Sequence, residues 1–62
     1  MEFGEKVKQA RKKLNLSQAA LAQELGVVFS TINRWENERV MPSYPAVKKF
    51  EAFCKEHKLK IE

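Results

Sequence analysis

The stretch LSQAALAQELGVVFSTINRWENE, Leu16 to Glu38, decides the fold. It holds two short helical patterns joined around one glycine, Gly26, with no room for a long loop. The second pattern sorts its side chains by face. At about 100° per residue, Val28, Ile32 and Trp35 fall on one stripe, with Phe29, Ser30, Asn33, Arg34 and Asn37 opposite. An apolar stripe suited to a core is thus backed by amides, a hydroxyl, a guanidinium and an aromatic ring. That outer row has the chemistry needed to read base edges in a DNA major groove.

Working outward, Phe3, Val7, Ala10 and Leu14 recur at helical spacing and predict a first amphipathic helix over 3–14. Asn15-Leu16 is a short connection. Ser17 is a credible N-cap for a second helix whose buried side is Leu21, Ala22 and Leu25, although Ala20 cannot complete a capping box. Gly26 stops that helix. The third runs from about Phe29 to Asn37, and Val27-Val28 before it make a poor cap, a deficit of roughly 1 kcal/mol. A loop through Pro42 leads to Ser43 and Pro45, which start a fourth helix with Val47, Phe50 and Cys54 facing inward and Ala46 and Phe53 alongside. The tail from Leu59 alternates and predicts a brief extended segment or a stub.

With 62 residues, 44% hydrophobic and 32% charged, the chain predicts one all-α globular domain over 1–62, near the lower size limit for an unaided core. No run approaches the roughly 18 apolar residues of a membrane span, and no signal peptide is visible, so the expected location is cytoplasmic. Cys54 stands alone, which excludes an intramolecular disulfide, and His57 lacks a second ligand, so no metal or cofactor is expected. The net charge of +4 is unevenly spread. Residues 1–18 carry five basic and two acidic groups, and 44–62 carry five and three. The middle, 19–43, carries only two and three. Attraction to phosphate must come mostly from the flanks and from backbone amides.

The pattern L-S-Q-x-x-L-A-x-x-L-G-V-x-x-S-T-I-x-R-W-E-N, followed by Pro-Ser, resembles the phage repressor/Cro (Xre-type) helix-turn-helix family over about residues 5–55. The resemblance implies a compact lambda-repressor-like bundle of four or five helices, with its helix-turn-helix unit at about 17–37. It also implies binding to a double-stranded DNA operator, usually as a homodimer on a palindrome. Position by position, Phe29, Ser30, Asn33 and Arg34 match residues that reach bases. Ser17, Gln18, Asn37 and Arg39 match phosphate contacts, with Gln18 also supporting the recognition helix. Arg11 and Glu36 match a pair whose internal salt bridge ties the first helix to the third. Two positions depart from the pattern: Glu38 stands where glycine is common, and Phe29 where polar residues are frequent.

Each assignment has a plainer counterpart. Arg34 suits guanine bidentately but can be solvated or pair with Glu38. Asn33 can read adenine or bridge to phosphate, and the Ser30 hydroxyl suits a phosphate or a water-mediated contact. Phe29 can pack on a thymine methyl or fold back onto the core. Trp35 belongs to the core, and Cys54 is a small buried hydrophobe. One Cys, one His, no paired carboxylates and no phosphate-cradling glycine loop leave no basis for an enzyme. The expected function is sequence-specific DNA binding in transcription regulation. The alternative is an antitoxin or protein-interaction module regulating a larger partner.

Overall fold

The described residues form four helices, two of them opened by capping serines: α1 (Phe3–Lys13), α2 (Gln18–Leu25), α3 (Phe29–Glu36) and α4 (Tyr44–Glu56). The computed structural model describes residues 3–37 and 42–60, and among these there is no strand. Ser17 Oγ accepts from the Ala20 amide at 3.0 Å and opens α2. Ser43 Oγ accepts from the Ala46 amide at 3.3 Å and, with Pro45 in the first turn, opens α4. The N-cap of α3 is Val28, extended at φ −83° and ψ 157°, and its side chain makes no capping bond. The exit of α3 through Glu38 lies outside the described residues.

Three helices end in the same closed turn. Asn15, Gly26 and Lys58 adopt positive φ of 56°, 71° and 56°. The following amides of Leu16, Val27 and Leu59 donate back to the carbonyls of Arg11, Ala22 and Cys54, each at 2.9 Å. This is the Schellman arrangement, which satisfies orphan carbonyls and folds the next residue onto the helix. Leu16, Val27 and Leu59 all pack on the core. Of the two expectations for the tail, an extended segment or a stub, Leu59 fits the second, as a helix closure; residues 61 and 62 lie outside the described residues.

The core joins Val7 and Ala10 of α1, Leu21, Ala22 and Leu25 of α2, Ile32 and Trp35 of α3, and Phe50 and Phe53 of α4. Phe3 meets Trp35 and Phe50 edge-on, at centroid distances of 5.2 and 5.3 Å, and binds three helices at one point. Two expectations are corrected. Val28 is 65% exposed instead of joining the Ile32–Trp35 stripe, because an extended N-cap residue does not keep the 100° phase of the helix after it. On α4 the buried centre is Phe50 and Phe53. Val47 and Cys54 are half-buried at the edge, lining with Phe3 and Lys6 a groove of about 430 Å³ between α1 and α4.

Candidate nucleic-acid interface

Glu36, the last residue of α3, is the one buried charged residue among those described, with its side chain 3% exposed. It is held from α1: Arg11 Nε donates to Oε2 at 2.7 Å and Nη2 donates to Oε1 at 3.0 Å, a bidentate pair. The remaining Arg11 nitrogen, Nη1, donates to the Leu16 carbonyl at 3.1 Å and fastens the α1–α2 connection. Burial alone pushes the Glu36 carboxyl up. The Arg11 and Gln18 hydrogen bonds, with the positive charges of Arg11 and Lys8, outweigh it and hold the carboxyl below its usual range. The hydrogen bond to Glu36 in turn raises Arg11.

From Glu36 a chain of amides runs outward to the surface of α3. Gln18 Nε2 donates to Glu36 Oε1 at 3.1 Å, so Gln18 Oε1 faces away and accepts from Asn33 Nδ2 at 3.3 Å. Asn37 Nδ2 then donates to Asn33 Oδ1 at 3.2 Å and to the Asn33 carbonyl at 2.9 Å. An acceptor-only carboxylate at one end fixes the sense of every amide along the line. Half-buried Asn33 is left with one N–H and one free acceptor site on Oδ1, the pair an adenine edge requires.

The other side chains of this face are open. Ser30, Arg34 and Asn37 are exposed, and among the described residues Arg34 has no hydrogen-bond or ion-pair partner. Phe29 is 52% exposed, so it does not fold back onto the core. Ser17 spends its oxygen's acceptor role on the cap and keeps its O–H for another acceptor. Structure thus brings Gln18, Asn33, Asn37 and Glu36 into one bonded line and leaves Phe29, Ser30 and Arg34 beside it. Arg39, expected to meet phosphate, lies outside the described residues.

A helix-turn-helix family model matches residues 7–59, which takes in α2, α3, α4 and most of α1. The chain belongs to the Xre-type helix-turn-helix family. It is 40% identical over 48 residues to the HTH-type transcriptional activator BcrR of Enterococcus faecalis. That alignment covers 77% of this chain and 24% of the relative, so the chain spans about a quarter of that protein's length. No solved structure matches it. In helix-turn-helix pairs generally, the second helix is the one that enters a major groove.

Sequence reasoning missed two exposed apolar side chains of this helix-turn-helix domain. Val28 was misplaced by its apparent phase. Tyr44, 72% exposed with Lys48 Nζ 5.4 Å from its ring centroid, begins α4. Its signal was available, since nine helical steps place it about 180° from Phe53. The thiol of Cys54 is pushed up by burial, with the charge of Glu51 adding to the shift. No described helix is long and apolar enough to cross a membrane.

Proposed function

We propose that residues 1–62 act as one sequence-specific binder of double-stranded DNA in transcription regulation, with α3 lying in the major groove. Arg34, Asn33, Ser30 and Phe29 face base edges; Ser17, Gln18, Asn37 and Arg39 meet phosphates. Arg11 and Glu36 hold the two helices in register. The observation that carries this reading is the two-sided character of α3. It buries Ile32, Trp35 and Glu36, while its opposite face holds Arg34, without a partner among the described residues, and Asn33 oriented with spare donor and acceptor capacity. Family membership and the relative's description as a transcriptional activator support it. Operators with two-fold symmetry are expected, each half taken by one copy.

Selection from randomised duplex DNA tests the reading. A defined site should emerge, and Arg34→Ala should relax preference at one base pair, by about 1–3 kcal/mol of discrimination, without lowering the melting temperature. Recovery of no preferred sequence would refute it.

A further inference from the structure

The first two residues of the α3 entrance, Val28 and Phe29, are apolar and open to solvent, at 65% and 52%. Their neighbour Val27 packs on the core, so the chain had a burial site within one residue and these two side chains do not take it. Val28 also holds the N-cap position without a capping bond. Position 28 therefore forgoes both a cap and burial. A residue that breaks local rules with no return to the fold marks a functional position. Its place is equally telling, because recognition helices meet base edges with their N-terminal residues. Phe29 lies one turn before Asn33 and about 40° around from it, so the apolar pair continues directly into the polar row.

Neither side chain can hydrogen-bond a base. What the major groove offers an apolar side chain is the C5-methyl group of thymine, and 5-methylcytosine carries the same methyl at the same ring position. We infer that Val28 and Phe29 form a methyl-reading edge, selecting C5-methylated pyrimidines, whether thymine or 5-methylcytosine, over uracil and cytosine. This rests on α3 occupying the major groove. It adds Val28 to the reading surface and makes binding responsive to cytosine methylation.

The test uses the duplex enriched by selection. Each thymine is replaced in turn by deoxyuridine, which removes one methyl and leaves base pairing unchanged. Binding should weaken about fourfold for each methyl buried at one or two positions, the size set by transfer of a single methylene. A duplex carrying C·G in place of T·A there should regain about fourfold when that cytosine is C5-methylated. The double variant Val28→Ala/Phe29→Ala should bind thymine and uracil duplexes alike while keeping its preferences at the other positions. Val28→Ser, which supplies a cap, guards against loss of folding and should reduce the discrimination on its own. Uracil tolerated at every position, or discrimination retained in the double variant, overturns the inference and leaves the functional proposal standing. Enrichment of no sequence overturns both.

Discussion

Glu36 is where α1, α2 and α3 converge on one carboxylate, and its two partners are unequal in their access to water. The Glu36 side chain is 3% exposed and that of Arg11 is 19%. Arg11→Met leaves a carboxylate buried without its cation and should cost about 3 kcal/mol or more. Glu36→Gln leaves an arginine with a route to solvent and should cost less, about 1.5–3 kcal/mol. Against the roughly 3–5 kcal/mol available to a core of this size, the first variant is near the limit of folding. The native chain and Arg11→Met should also respond to pH with opposite signs. In the native chain the Glu36 carboxyl lies below its usual range, so its stabilisation is complete above that range and is lost as pH falls through the folded value. In Arg11→Met the buried carboxyl, freed of its cation, favours its protonated form and the variant gains relative stability on acidification. Urea denaturation of the three proteins at pH 7 and pH 4.5 decides it: equal losses at both pH values would show that Glu36 owes nothing to Arg11.

At the level of the helices, their ends explain most of what was legible and what was not. Gly26 announced the α2 stop because glycine takes positive φ without strain, and a Cβ there would find space, its nearest neighbour being Lys49 Nζ at 3.6 Å. Gly26→Ala should therefore lose only the conformational term, about 1 kcal/mol, seen as a melting point lower by about 4–8 °C. At Asn15, a residue that tolerates positive φ, the stop was also readable, whereas at Lys58 it was not, since packing of Leu59 on the core sustains a conformation that lysine does not favour. Lys58→Gly should relieve that strain and stabilise by about 0.5–1 kcal/mol; a lower melting point would contradict it. The outer row of α3 was readable from its period alone. The amide line from Glu36 through Gln18 to Asn33 was not, because it depends on how closely the start of α2 approaches α3. Val28 was misread by extending helical phase into an extended residue. Val28→Ser should raise stability by about 1 kcal/mol through the missing cap, and thermal melts of the two chains measure that.

As a whole molecule the domain measures 26 × 22 × 18 Å, shorter than the roughly 34 Å of one B-DNA turn. The domain presents one α3, so the proposed palindromic operator would take two copies, one on each half. Charge sets the second expectation. Residues 19–43 hold two basic and three acidic groups, and the phosphate contacts proposed for Ser17, Gln18 and Asn37 are neutral. Neutral donors fix register on the backbone without releasing counterions, so under this proposal the salt dependence would reflect only the few cations assigned to phosphate, Arg39 and lysines of the flanking helices. With about two or three such cations per copy, log K against log salt concentration should fall with a slope of about −2 to −3 on a single half-site. On the full palindrome, with two copies bound, the slope should double to about −4 to −6. Titrations of both duplexes across 50–200 mM salt, roughly the range over which such effects are resolved, provide the measurement. Equal slopes on the half-site and the palindrome would mean that one copy suffices, and the two-copy arrangement would have to be abandoned.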